Sequence, residues 1–426
     1  MTILIFLTSL IGSMAIGVPI AFALMFCGIV LMVWLGIFDT QIIAQNMIDG
    51  SDNFQLLAVP FFILAGELMN AGGLSRRIIQ FAVACVGHFR GGLGYVAVIA
   101  AVLMAAMSGS AAADTAALAS ILVPMMRHAG YNMPRATGLI AAGGVIAPVI
   151  PPSIGFIVFG VAAGVSIPQL MLAGVAPGIL MGLSIGVAWA IVSRKETMAV
   201  TGRIDMRGRL AALRDGFFAL LMPLIVIGSI RAGVATPTEA AVIAVAYALV
   251  FGLFVYKELK FSMLFGVCLM AAKTTAAVMF LVAASLVSAW LITQANIPGE
   301  IADLLRPLMG SPLLLMVVMM AIVWVIGTAL DFTPTVLILT PILMPIVREA
   351  GINPVYFGVL FIMNNAIGLI TPPVGIVLNV VCGVAHVPMG KVIRGVTPFV
   401  TAQTLLLIML ILFPDLVMQP LSWLRN

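Results

Sequence analysis

Charge is what this chain has least of. Only 8% of its 426 residues are Asp, Glu, Lys or Arg, whereas soluble domains carry about 25%. That leaves too little polar surface to cover a water-soluble core. Histidine is nearly absent too, with only His88, His128 and His386. No HExxH or comparable zinc spacing is present, so metal-assisted hydrolysis has no ligand set. The four cysteines, Cys27, Cys85, Cys268 and Cys382, form no CxxC and lie in apolar surroundings. They read as small core residues, and no cofactor is expected. The first segment lacks the Lys/Arg start and small-residue cleavage site of a signal peptide and reads as a retained helix. The net charge of +5 is small and spread over loops. It carries topology information and excludes a nucleic-acid partner.

What the chain has is apolar length. It is 63% hydrophobic, with a mean hydropathy of +1.24. The lipid bilayer is its solvent, and the length accommodates roughly ten spans of about 20 residues each. The fold class is an all-α integral membrane protein.

Two stretches are copies of each other. Residues 122–156 read LVPMMRHAGYNMPRATGLIAAGGVIAPVIPPSIGF, and 343–377 read LMPIVREAGINPVYFGVLFIMNNAIGLITPPVGIV. Pro124 aligns with Pro345, an offset of 345 − 124 = 221. The same offset pairs Arg127 with Arg348, Asn132 with Asn353, and Pro151-Pro152 with Pro372-Pro373. Apolar segments broken by Gly and Pro at matching places in two halves point to the binding site of a secondary transporter.

The repeat divides the chain. Residues 1–192 form the first repeat, with a re-entrant hairpin near 91–126 and a broken helix near 136–165. Residues 193–215 form a basic cytoplasmic linker that includes Arg194, Lys195, Arg203, Arg207, Arg209 and Arg214. Residues 216–426 form a connector helix and the second repeat, with a hairpin near 312–347 and a broken helix near 355–384. Further spans are expected at 2–35 (broken at Gly17-Val18-Pro19), 54–73, 169–192, 235–256, 274–293 and 397–418. With the linker inside and both hairpins re-entrant, nearly every basic loop falls on the cytoplasmic face. The acidic loops 36–53 and 294–311 fall outside, and Arg348 is the exception. The N-terminus is then cytoplasmic, the hairpins open to opposite sides, and the repeats have inverted topology.

Non-helical backbone inside a membrane is tolerated only where it lines a cavity or is buried in protein. Proline frees the carbonyl one turn earlier, so each broken helix should expose carbonyl oxygens. The hairpin tips add Ser108, Ser110 and Asp114 in the first repeat and Thr328, Asp331 and Thr333 in the second. Such neutral oxygen-rich breaks suit sodium, one site per repeat. The half-helices after the breaks begin near Ser153 and Val374. Their positive N-terminal ends favour an anion between the repeats, to which Ser153 could donate. Glu67, Asp114, Glu239, Lys273 and Asp331 fall at membrane depth, where a charge costs about 2.5–3.5 kcal/mol on insertion scales. Of these, Asp331 reads as functional and Glu239 as either functional or structural. Glu67 and Lys273 read as structural and near an interface.

The chain resembles the large membrane subunit of TRAP transporters, the DctM type. The resemblance runs over the whole length through AVPFFILAGELMNAGGLSRRI at 58–78, SGSAAADTAALASILVPMM at 108–126, APVIPPSIGFIVFG at 147–160, ATPTEAA at 235–241, ALDFTPTVLILTPILMPI at 329–346 and IGLITPPVG at 367–375. The subgroup similar to 2,3-diketogulonate importers is the nearest. The resemblance implies an elevator-type, sodium-coupled importer of carboxylates in the bacterial inner membrane. It also implies two partners, a small four-helix membrane subunit and a periplasmic solute-binding protein. Carried over by position, a first sodium site falls on Ser108, Ser110, Gly143, Val145 and Pro148. A second falls on Thr328, Ala329, Ile367, Gly368 and Thr371. The substrate path includes Asp114, Ser153, Glu239 and Asp331. Ala366 stands where many members carry a glutamate, so no acidic role transfers there; Asn364, Asn365 and Asn379 are the polar groups available nearby. Three rivals are a standalone ion-coupled anion carrier, an intramembrane enzyme and a scaffold subunit without a solute path. The enzyme lacks a nucleophile–base pair, and the scaffold leaves the paired breaks unexplained.

Overall fold

In hydrocarbon every backbone N–H and C=O needs a partner within the protein, and the helix supplies one for each residue. A computed structural model describes residues 2–194, 196, 198, 202 and 205–425. Lys195 and Arg203 of the expected linker lie outside the described residues. Among the described residues the regular structure is helical throughout. Among the same described residues, eight helical stretches are long and apolar enough to cross a membrane.

The first repeat opens with α1 (Thr2–Ala15) and α2 (Ile20–Trp34), which pack on each other around the break at Gly17-Val18-Pro19. Next come α3 (Thr40–Ser51), α4 (Ala58–Ala71) and α5 (Leu74–Val86). The first hairpin is α6 (Gly92–Ser108) and α7 (Ala111–His128). The first broken helix is α8 (Met133–Gly144) and α9 (Ile154–Ala163), and α10 (Ile167–Ser193) closes the half. Then follow α11 (Met206–Arg231), α12 (Pro237–Val250), α13 (Phe261–Gln294) and α14 (Ile297–Leu305). The second hairpin is α15 (Pro312–Ala329) and α16 (Phe332–Glu349). Its broken helix is α17 (Pro354–Gly368) and α18 (Ile376–Ala385), followed by α19 (Met389–Leu412) and α20 (Asp415–Arg425). Both hairpins and both breaks thus lie where the sequence repeat places them.

Several boundaries differ from the sequence expectation, each for a local reason. The linker ends early, because Asp205 caps α11 by accepting from the Gly208 N–H at 2.8 Å. Arg207, Arg209 and Arg214 therefore ride on the first turns of that helix. The acidic loops contain helices: Asp39 caps α3 by accepting from the Gln41 N–H at 2.7 Å, and α14 starts with Pro298 in its first turn. Lys273 does not begin a span but sits exposed on the side of α13. With 34 residues that helix is about 51 Å long, far more than the roughly 30 Å hydrocarbon core. The last expected span splits, with α19 ending before Pro414 and α20 starting at Asp415.

The helices pack in two groups. In one, α13 lies against α2, α3 and α4, while α11 packs on α5 and α12 on α4. In the other, α8 crosses α19, α10 packs on α19, α15 on α17, α7 on α18 and α9 on α16. The groups meet mainly where α13 faces α16 and where α4 and α5 face α6.

The α8–α19 crossing shows how close the backbones come. A Cβ at Gly138 would stand 2.6 Å from the Val396 nitrogen. Gly395 presses in turn on the Pro134 carbonyl. Across the same contact buried Gln403 donates to the Ala142 carbonyl at 3.2 Å. Small residues permit such approach where lipid gives no hydrophobic drive between helices. Gly138→Val must push these backbones apart, at a cost of about 1–3 kcal/mol for overpacking. A thermal unfolding scan of the purified protein is expected to show a Tm several degrees lower; an unchanged Tm would mean the crossing has slack.

Candidate functional site

Each hairpin turns through a short non-helical tip. In the first, Ser108 accepts from the Ser110 N–H at 3.1 Å and donates to Asp114 Oδ1. Ser110 caps α7 by accepting from the Ala113 N–H at 3.4 Å. Gly109 has φ +62°, and a Cβ there would stand 2.8 Å from the Pro152 carbonyl oxygen. Both the left-handed turn and the close approach to the break therefore require glycine. In the second hairpin Asp331 occupies the position of Ser110, since 331 − 110 = 221. It caps α16 by accepting from the Phe332 N–H at 2.7 Å.

The breaks lie beside the tips. Each contains a cis Pro-Pro bond, Pro151-Pro152 and Pro372-Pro373. Ser153 caps α9 by accepting from the Phe156 N–H at 3.2 Å, and its hydroxyl donates to the Pro148 carbonyl. In the second break Thr371 donates its hydroxyl to the Ile367 carbonyl at 2.9 Å, and its N–H reaches the Gly368 carbonyl at 2.9 Å. The Val374 N–H reaches the Thr328 carbonyl at 3.3 Å, tying this break to its own hairpin tip.

A cavity of about 360 Å³ lies between these pieces. Its walls include Ser108 to Ala113 at the first tip, Asp331 to Thr333 at the second, Ile154 and Gly155 after the first break, and Ile376 and Val377 after the second. Thus α7, α9, α16 and α18 all begin at this cavity. The facing wall comes from α4, with Glu67 and Asn70, and from α13, with Thr274 and Val278. Among the described residues the lining contains two carboxylates, Glu67 and Asp331, and no Lys, Arg or His.

The electrostatics set two effects of similar size against each other. At an effective dielectric near 20, two unit charges 5 Å apart interact by roughly 3 kcal/mol. An anionic solute would meet that repulsion from each ionised carboxylate. A partly buried helix N-terminus favours an anion by up to ~2 kcal/mol, and four of them converge here. The two effects are therefore of comparable size.

The structure sorts the residues singled out from the sequence. Ser108, Ser110 and Pro148 line the cavity. Gly143 and Val145 are buried behind it, and a Cβ at Gly143 would meet the Ala101 side chain on α6. Thr328, Ala329, Ile367, Gly368 and Thr371 form a second cluster beside the cavity. There a Cβ on Gly368 would lie 2.7 Å from the Gly327 backbone. Of the substrate-path residues only Asp331 lines the cavity. Asp114 is buried behind the first tip, and neither its second oxygen nor the Thr115 hydroxyl has a hydrogen-bond partner among the described residues. Ser153 has committed its donor to Pro148, so it is not free for a carboxylate. Glu239 lies elsewhere. It is exposed at the start of α12 and closes a capping box, accepting from the Thr236 N–H at 2.7 Å while Thr236 Oγ1 accepts from the Glu239 N–H at 3.3 Å.

Glu67 is the opposite case. Read from the sequence as structural and near an interface, it stands in the cavity wall with Asn70 and Thr274. A carboxylate inside the apolar run FILAGELM was the available signal. Asn365 is buried in the second cluster; its Nδ2 donates to the Phe332 carbonyl at 2.9 Å, and its Oδ1 has no partner among the described residues.

Known proteins are similar to this chain in sequence and in fold. The chain is 53% identical over 425 residues to the 2,3-diketo-L-gulonate TRAP transporter large permease protein YiaN of Escherichia coli K12, covering 100% of both. It is 38% identical over 382 residues to the C4-dicarboxylate TRAP transporter large permease protein DctM of Pseudomonas aeruginosa, covering 90% of each. It is 36% identical over 405 residues to the sialic acid TRAP transporter large permease protein SiaM of Vibrio cholerae, covering 95% of each. In fold it is similar to the crystal structure of the YdaH transporter of Alcanivorax borkumensis, described as having an unusual topology. That likeness has a TM-score of 0.63 at 14% identity, covering 87% of this chain and 86% of that one. Residues 7–416 match the DctM component of tripartite ATP-independent periplasmic transporters. With that match over nearly its whole length and relatives this similar, the chain belongs to the DctM family of TRAP transporter large permease subunits.

Proposed function

We propose that this subunit carries the transport path of a sodium-coupled, binding-protein-dependent importer of carboxylate solutes, of the sugar-acid or C4-dicarboxylate type. One observation carries this reading: four helix N-termini converge on a cavity whose lining, among the described residues, holds two carboxylates and no basic side chain. Backbone N–H groups then bind the solute's carboxylate, and sodium supplies the positive charge that side chains do not. The buried, unpartnered oxygens of Asp114, Thr115 and Asn365 fit a hard cation beside each tip. Sodium is the coupling ion here, and the chemistry calls for no catalytic group.

The relatives named for 2,3-diketo-L-gulonate, sialic acid and C4-dicarboxylates support this substrate class, with a sugar acid the first candidate by identity. The family's tripartite name supports two partners, a small four-helix membrane subunit and a periplasmic solute-binding protein, in the bacterial inner membrane. The separate packing of α2–α5 and α11–α13 from the hairpins and broken helices supports an elevator, with the first group held still. Division into repeats at 1–192 and 216–426 follows the matched hairpins and breaks. A standalone carrier is the alternative, and it would transport without the partner proteins.

Uptake in proteoliposomes containing all three components tests the coupling. Replacing external sodium by choline is expected to abolish carboxylate uptake, and a pH gradient alone is expected not to restore it. Full uptake driven by protons would overturn sodium coupling.

Asp331→Asn keeps the helix cap, since Asn is as good an N-cap as Asp, and removes only the charge. Across the cavity, Glu67→Gln in the middle of α4 likewise removes the charge and keeps the side chain's size. Each variant is expected to purify like the parent and to lose most sodium-driven uptake, about tenfold or more. Normal uptake in both would mean that neither charge takes part. Failure to accumulate would assign them to folding.

Inverted topology, with a cytoplasmic N-terminus, places the open ends of the hairpins on opposite faces. His128 and Glu349 are both exposed there and stand 221 residues apart. In a background without the four native cysteines, His128→Cys should react with an impermeant thiol reagent from the cytoplasm and Glu349→Cys from the periplasm. Labelling of both from one face would refute the inversion.

A further inference from the structure

The last turn of each hairpin carries an arginine, Arg127 on α7 and Arg348 on α16, and the two occupy equivalent positions in the repeat. Arg348 is also the residue that violates the charge pattern of the loops. Neither makes an ion pair among the described residues. Instead, each donates to the last residue of a half-helix in the other repeat. Arg127 Nη2 reaches the Ala385 carbonyl at the end of α18, at 2.6 Å. Arg348 Nη2 reaches the Ala163 carbonyl at the end of α9, also at 2.6 Å.

The carbonyls involved need partners. The last turn of a helix has four carbonyls with no intrahelical donor, and a cation there also complements the helix dipole. Beyond both ends the chain turns left-handed, at Gly164 with φ +63° and at His386 with φ +51°. The donor could have come from the same repeat, yet in both cases it crosses over. The crossing continues along the helices, since α7 packs on α18 and α16 on α9.

The four helices that cross are the four that begin at the cavity. The first half-helix is held near its N-terminus by both hairpin tips, with Gly109 on Pro152 and Phe332 against Gly155, and the second by its own repeat's tip, where the Val374 N–H reaches the Thr328 carbonyl at 3.3 Å. The C-terminus of each, about 15 Å away for a ten-residue helix, is fixed by the arginine. We infer that Arg127 and Arg348 are reciprocal clamps that hold each hairpin on the other repeat's half-helix, so that the four N-termini around the cavity keep one mutual geometry. They are positioning residues, since neither touches the cavity. This places a structural demand on Arg348 that overrides its poor fit to the charge rule. The inference rests on the transport reading only for its consequence in uptake.

The test is amide hydrogen exchange of the full membrane complex, read beside uptake, for Arg127→Ala and Arg348→Ala. A merely local cap would raise exchange only at the helix ends, 382–387 and 160–166. Clamping predicts that exchange also rises about tenfold or more at the tips, 108–112 and 328–333, the scale of one charge-assisted hydrogen bond. Uptake is expected to fall by a similar factor. Arg→Lys, which keeps a cation and a donor, should restore part of both. Exchange raised only at the helix ends, with uptake intact, overturns the inference. If an alanine variant fails to accumulate, the same comparison is made on the lysine variant: tips raised above the parent sustain the clamp, and ends alone overturn it. Tips that open in the variants of a complex inactive in uptake would count against the transport reading and leave the clamp standing.

Discussion

The constraint behind this structure is that backbone polar groups cannot be left bare in hydrocarbon. A Pro-Pro pair in the middle of an apolar segment removes two N–H donors and ends the helix. That is tolerable only where other protein encloses the break. The hairpins serve this purpose: Gly109 lies on Pro152, and the Thr328 carbonyl takes the Val374 N–H. Once two breaks are enclosed by two hairpins, helices must start beside each other in the protein interior. The cavity and its four helix N-termini follow from that arrangement.

This origin explains the unusual charge of the site. A soluble anion-binding protein can place an arginine in its pocket at little cost. In the proposed transport path a fixed cation would have to be carried through the bilayer whenever the solute had left. Backbone dipoles offer a weaker attraction, one that two carboxylates nearly cancel. On the proposed reading, a site poised in this way would hold an anion only with accompanying cations, which is the thermodynamic content of coupling. Arg127 and Arg348 lie instead at the C-terminal ends of α18 and α9, away from the cavity.

Much of this was legible in the sequence, because Pro, Gly and the hairpin signatures act locally. The repeat offset alone located both tips and both breaks, and Asp331 was singled out as the isolated acid at a tip. Facing was not legible. Glu67 and Glu239 both look like acids at membrane depth, yet the first lines the cavity and the second caps a helix. The Thr236-Pro-Thr-Glu239 spacing is a capping-box signature, so Glu239 could have been assigned from the sequence. Which side of α4 carries Glu67 depends on packing against α13, which no local pattern encodes. Asp114 was read at the first tip and Ser153 after the first break, both on the substrate path; neither lines the cavity, since Asp114 pairs with Ser108 and Ser153 with the Pro148 carbonyl. The length of α13 was hidden because Lys273 interrupts the apolar run while standing on an exposed face. The cross-repeat reach of Arg127 and Arg348 is a tertiary fact, although their pairing at one offset was visible.

The central claim is that backbone N–H groups, rather than basic side chains, hold the carboxylate of the solute. A cryo-electron microscopy map of the complex with sodium and a transported sugar acid would test it most directly. The account predicts density in the cavity with the carboxylate within hydrogen-bond distance of N–H groups at the starts of α7, α9, α16 or α18, and no Lys or Arg of this chain against it. A carboxylate paired with an arginine or lysine, or bound outside this cavity, would contradict the account.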